Sequence, residues 1–195
     1  MSQSCWRVCP VSVSHGIILE HACGHLMRIK FASTLIRKGA SSLVSDESTT
    51  TNAGSGERLV LRTDGASRGN PGPAAAGIVI EREDCTILAQ LGQYLGEMPN
   101  NQAEYRALIL GLRLVTDRQP AAVDIYMDSE LVVRQMTGVY QVRDATLQQL
   151  YREAMALVKA LPHVTFTHVR RAQNALADRL ANQALNERRR ASSAG

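Results

Sequence analysis

From Arg58 onward the apolar residues change their period, and the order of those changes leaves few folds open. Leu59 to Thr63 reads as a short apolar strand. A Gly/Pro-rich turn follows, from Gly65 to Pro73. Ala74 to Arg82 and Thr86 to Tyr94 read as two more strands, joined at Glu83-Asp84-Cys85. Connections this short predict an antiparallel meander. The period then becomes helical. Ala103, Ala107, Leu108, Leu110, Gly111, Leu114 and Val115 share one face, which predicts a helix from about Asn101 to Asp117. Val123 to Met127 is a buried strand. Ser129 to Met136 is a short helix with Ser129 as its N-cap, ended by Gly138. Leu147 to Leu161 is an amphipathic helix, His163 to Val169 a last strand, and Leu176 to Arg188 a last helix.

The order is βββαβααβα. Strands separated by helices must run parallel to the first strand, through right-handed crossovers. The expected fold is therefore α/β: a mixed five-stranded sheet, its first three strands antiparallel and the later ones parallel to the first, flanked by helices. In such sheets the site lies at the carboxyl ends of the parallel strands, near the switch point.

Residues 58–188 make up this predicted domain. Residues 1–57 differ in composition and read as a disordered N-terminal extension. They end in a Ser/Thr/Gly/Glu linker, Ser41 through Gly56. Up to Ser45 the only acid is Glu20, against five basic residues, a balance that a transit peptide would share. Translation from an upstream start codon is another explanation. Cys5, Cys9, His21, Cys23 and His25 match no standard zinc spacing. Residues 189–195 read as a disordered tail.

Four cysteines, three of them in the extension, do not make a disulfide framework, which favours a reducing, cytoplasmic location. No run is long and apolar enough to span a membrane. The net charge of +4 suits a polyanionic partner without requiring one. From Arg58 onward there are sixteen arginines and one lysine, Lys159. Arginine favours bidentate phosphate contacts, although codon bias explains the same preference.

Four carboxylates stand where packing alone would not place them. Asp64 and Asp128 each end a predicted strand. Glu104 lies at i relative to Ala107, Leu108, Gly111 and Val115, so it faces the sheet. Asp178 lies near the start of the last helix, between Ala177 and Ala181. Each has a plain explanation. Asp-Gly pairs initiate turns, and acids suit the first turn of a helix. All four falling at one end of the sheet points instead to a pocket for divalent cations, because charges beside a core must be paired or metal-bound. Paired metal ions cleave phosphodiesters by activating a water and stabilising the leaving oxygen, without a protein nucleophile.

The segments TDGASRGNPGPAAAG, NNQAEYRALILGL, IYMDSELVVRQMTG and HVRRAQNALADRLANQAL occur in that order. Together they resemble the type 1 ribonuclease H family, over about Leu59 to Asn186. The resemblance implies that Asp64, Glu104, Asp128 and Asp178 are the catalytic, metal-binding acids. It implies two Mg2+ ions, with Mn2+ as a substitute, and cleavage of the RNA strand of RNA–DNA hybrids to 3′-hydroxyl and 5′-phosphate ends. Asn70 looks like the family's minor-groove asparagine, and Asn100 and Asn101 like its paired polar residues. Gly65 would allow close backbone approach. A hybrid shows 2′-hydroxyls along one strand of a wide, shallow minor groove, which short amides can read without reading sequence.

Two departures stand out. The family's loop histidine is absent from Arg170-Arg171-Ala172-Gln173-Asn174, where Arg171 is a candidate phosphate contact; His168 reads as structural. The link from Gly138 to Asp144 is short and holds only Arg143, so the basic protrusion is missing, as in the family's short subgroup. Glu130 stands beside Asp128 where some relatives have a neutral amide. The expected partner is an RNA–DNA hybrid, with double-stranded RNA as a second candidate, no membrane, and a monomeric enzyme. Two alternatives stay open: a non-catalytic nucleic-acid-binding module, and another nuclease of this fold acting on duplex RNA or junction DNA. A hybrid-binding module in the extension is disfavoured, since only Trp6 and Phe31 are aromatic there.

Overall fold

The computed structural model describes residues 56–193, so the expectations for the N-terminal extension lie outside the described residues. The elements are β1 (Arg58–Ser67), β2 (Gly72–Arg82), β3 (Ile87–Met98), α1 (Asn100–Thr116), β4 (Ala122–Met127), α2 (Glu130–Met136), α3 (Ala145–Lys159), β5 (Val164–His168), a 3-10 turn (Arg171–Gln173) and α4 (Ala175–Ser193). The strands form one sheet in the order β3-β2-β1-β4-β5. β1 pairs antiparallel with β2, and β2 with β3; β4 runs parallel to both β1 and β5. This is the expected mixed sheet.

Helices cover both faces because glycines let backbone meet backbone. On one face, a Cβ at Gly65 would overlap the backbone of Ala103 and Glu104, and one at Gly111 would lie 2.9 Å from the Leu61 and Thr63 side chains. These contacts seat α1 directly on β1. On the other face, a Cβ at Gly77 would overlap the Ala177 carbonyl, and one at Gly92 would lie 2.6 Å from the Leu180 carbonyl oxygen. These seat α4 on β2 and β3. The main core lies around α1, where Leu61, Leu108, Leu112, Val115, Val123 and Ile125 are fully or almost fully buried. Tyr105 is buried with them, and its hydroxyl donates to Gln135 Oε1 at 2.8 Å, joining α1 to α2.

Several boundaries differ from expectation. β1 does not stop at Thr63 but continues to Ser67, so Asp64 lies within a strand. The Asp64-Gly65 pair resembles a turn only locally. In the fold Asp64 faces Gly77 and Ser67 faces Ala74, so the β1–β2 ladder carries the chain through both residues. β3 extends past Tyr94 to Met98 through an irregularity at which Gly96 adopts φ +93°. An extra residue there breaks the alternation on which a strand reading depends. α3 begins at Ala145 because Asp144 caps it, its Oδ1 accepting from Leu147 N at 2.8 Å. Ser129 precedes α2 as expected, but its side chain makes no capping bond. Residues 189–193, expected to be disordered, continue α4. Ser192 and Ser193 hydroxyls donate back to the Arg188 and Arg189 carbonyls there. Among the described residues no helix is long and apolar enough to cross a membrane.

Candidate active site

Four elements bring the predicted acids to one end of the sheet. β1 carries Asp64, α1 carries Glu104, the residue after β4 is Asp128, and the first turn of α4 holds Asp178. Asp64 is only 5% exposed and Glu104 only 6%, whereas Asp128 and Asp178 are half-buried. α1 sits so close to β1 that the Gly65 amide donates to Glu104 Oε2 at 3.1 Å. Gly65, expected to let a hybrid approach its backbone closely, is instead buried beneath α1 and admits the helix that brings in the second acid.

The fields of these acids overlap. Burial pushes the Asp64 carboxyl up from its ordinary 3.8 to about 7, and the charges of Asp128 and Asp178 push in the same direction. Glu104 is raised well above its ordinary value, first by burial and then by Asp64 and Asp128. The Arg171 guanidinium opposes both shifts. It lies against Asp178, donating from Nη2 to Oδ1, and that contact raises its own pKa.

The donor set is entirely carboxylate oxygen, the ligand type that Mg2+ and Mn2+ prefer. Two buried carboxyls, both raised by burial and by neighbouring acids, are the electrostatic signature of a site built for added positive charge. Among the described residues, however, no three acidic, histidine or cysteine side chains are gathered as a finished metal cage. Asp178 is engaged by Arg171 instead of turning to the other acids alone. The residues therefore fit divalent ions by chemistry and charge.

The amides predicted to touch substrate lie next to this pocket. Asn70 Oδ1 accepts from Asn100 N at 3.1 Å, and Asn100 Oδ1 accepts from Ser67 N at 3.1 Å. The two side chains thus lock the turn after β1 onto the start of α1. Asn101 is exposed on the first turn of that helix.

Comparison with known proteins shows the family. The profile of the family described as "Reverse transcriptase-like" matches residues 62–184. The ribonuclease HI of Halobacterium salinarum is 38% identical over 170 residues, covering 87% of this chain and 84% of that protein. The chain belongs to the ribonuclease HI-like family. A bifunctional protein of Mycobacterium tuberculosis is 43% identical over 130 residues, which are 66% of this chain and 36% of that one. The chain thus spans about a third of that relative's length. The crystal structure of LC11-RNase H1 in complex with an RNA/DNA hybrid superposes with a TM-score of 0.63 at 40% identity, covering 66% of this chain and 97% of that one.

Glu130 and His168 both lie on the surface. Glu130 is exposed and pairs with Arg134 at 2.5 Å along α2. His168, at the end of β5, is exposed and does not serve the core. One residue went unnoticed in the sequence. Asn174 is fully buried, and its Nδ2 donates to both Thr63 O at 2.9 Å and Asp128 Oδ1 at 2.8 Å. Its only sequence signal is an asparagine two residues before the predicted helix, close to where a cap is favoured.

Proposed function

We propose that this chain is an endoribonuclease that hydrolyses the RNA strand of RNA–DNA hybrids, leaving 3′-hydroxyl and 5′-phosphate ends. The observation that carries the reading is the buried pair Asp64 and Glu104. Both are almost fully enclosed, and among the described residues neither forms an ion pair. Such a pair costs stability unless cations join it. Membership of the family and the hybrid bound by LC11-RNase H1 support the substrate class.

In this reading Asp64, Glu104, Asp128 and Asp178 hold two divalent ions, Mg2+ or Mn2+. Bound there, such ions supply a nucleophilic water and neutralise charge at the leaving oxygen. The chain's own residues do the rest. Gly65 N fixes the direction of the Glu104 carboxylate. Burial lowers the local dielectric around Asp64 and Glu104, which strengthens their attraction for positive charge. Arg171, exposed at the rim, exchanges Asp178 for a phosphate oxygen of the bound strand. Asn70, Asn100 and Asn101 face the minor groove and distinguish the strand carrying 2′-hydroxyls.

The test is cleavage of a labelled RNA–DNA hybrid in Mg2+, with EDTA as control and with duplex RNA and a four-way DNA junction alongside. Asp64→Asn should abolish cutting while its circular dichroism stays that of the parent. Cutting by the variant at the parent rate would reject the site assignment.

A further inference from the structure

Resting on the metal-site reading above, we infer that Asn174 is a positioning residue that sets the Asp128 carboxylate for cation binding. Its side-chain amide reaches two elements at once. Nδ2 donates to Asp128 Oδ1 at 2.8 Å and to Thr63 O at 2.9 Å. Both partners can only accept, so the amide orientation is forced, and both hydrogens of the NH2 group are used. The backbone carbonyl of Asn174 accepts from Asp178 N at 3.1 Å. One residue therefore ties together the strand residue before Asp64, the carboxylate of Asp128 and the first turn beneath Asp178.

A merely stabilising clasp would satisfy all of its own polar atoms. This one does not. Asn174 Oδ1 is buried with no hydrogen-bond partner, and so is Thr63 Oγ1 nearby. Orphaned buried groups of this kind cost stability and call for an explanation. The amide's direction is dictated by Asp128, together with the Thr63 carbonyl. With Oδ1 held, the second oxygen of that carboxylate has a fixed direction, as a metal ligand requires.

Two variants of the full chain test this. Asn174→Ala removes the donor, and Asn174→Leu keeps nearly the same shape while removing both hydrogen bonds. Mn2+ binding is measured by calorimetry without nucleic acid, beside circular dichroism, thermal midpoint and hybrid cleavage. The expected result is Mn2+ affinity weakened about 10–100-fold with the fold retained. In cleavage, kcat should fall and the metal concentration for half-maximal rate should rise, with KM for hybrid unchanged. A lowered midpoint with Mn2+ affinity within about twofold of the parent would overturn the inference and leave a structural role. If neither variant folds, the parent's Asn174 side-chain amide is followed by 15N NMR during Mg2+ titration. Resonances that shift in step with binding support it, and resonances that ignore the ion refute it. A parent that binds Mn2+ but cuts no hybrid defeats the nuclease reading without touching this one; a parent that binds no Mn2+ defeats the positioning role.

Discussion

Gly65 and Glu104 meet across thirty-nine residues of chain, the strand amide donating to the helix carboxylate at 3.1 Å. The contact exists because nothing projects from residue 65. Gly65→Ala would drive a methyl into the backbone of Ala103 and Glu104. Overpacking of this kind costs about 1–3 kcal/mol. Urea denaturation should show that loss, and hybrid cleavage should fall further than stability alone explains, because Glu104 is displaced with its helix.

Gly77→Ala tests the opposite face. Its methyl would collide with the Ala177 carbonyl and lie 2.8 Å from Ala181 N, lifting the first turns of α4 from β2. Asp178 sits on that turn. A destabilisation of about 1–3 kcal/mol is expected, with a higher Mg2+ concentration needed for half-maximal cleavage than the parent needs. Parent-like metal titration in a folded variant would mean that α4 can move without carrying Asp178.

Asp64 makes stability depend on pH with a definite sign. Its carboxyl is raised from 3.8 to about 7, so between those values the folded chain holds a proton that the unfolded chain has released. The stabilising contribution is present below the lower value and is lost as pH rises through the upper one. Asp64→Asn carries no such charge. In EDTA the variant should therefore gain on the parent as pH rises from about 4 to 7, by up to about 1.4 kcal/mol per pH unit. Chemical denaturation at several pH values measures the difference, and a difference that stays flat would contradict the buried-acid account. Saturating Mg2+ at higher pH should restore the parent, because ligands that bind only the native state stabilise it.

Arg171 lowers the pKa of both Asp64 and Glu104 while pairing with Asp178. Removing its charge lets both carboxyls rise further. The acid limb of the pH–rate profile for Arg171→Ala should thus move to higher pH, with Arg171→Lys in between. Because Arg171 is exposed, the thermal midpoint should barely change.

Tyr105 supplies a control beside the site but outside its chemistry. Tyr105→Phe would leave the buried Gln135 Oε1 without its 2.8 Å donor. The expected loss is about 1–3 kcal/mol of stability with hybrid cleavage at the parent rate below the melting range. A large loss of kcat in a folded variant would show that the α1–α2 contact tunes Glu104.

The core elements of the fold were legible because each strand and helix buries a face whose period survives in the residue order. The helical spacing of Ala103 through Val115 located α1 to within a residue, and the helices between strands required parallel pairing. Errors arose where local chemistry and tertiary pairing disagree. Asp64-Gly65 resembles a turn, yet pairing with Ala76 and Gly77 keeps it extended. The arginine-rich end resembles a frayed tail, yet α4 continues to Ser193.

Residue order alone placed Asp128 at a strand end, Asp178 at a helix start and Glu104 on the inward face of its helix, since periodicity marks where each element runs and which face it buries. It could not determine that Asp178 is held by Arg171, or that the single amide of Asn174 joins Thr63 to Asp128 across 111 and 46 positions of chain. Those contacts have no local signature. They come into being only when close helix–sheet packing at glycine brings distant carboxylates and amides within hydrogen-bond reach.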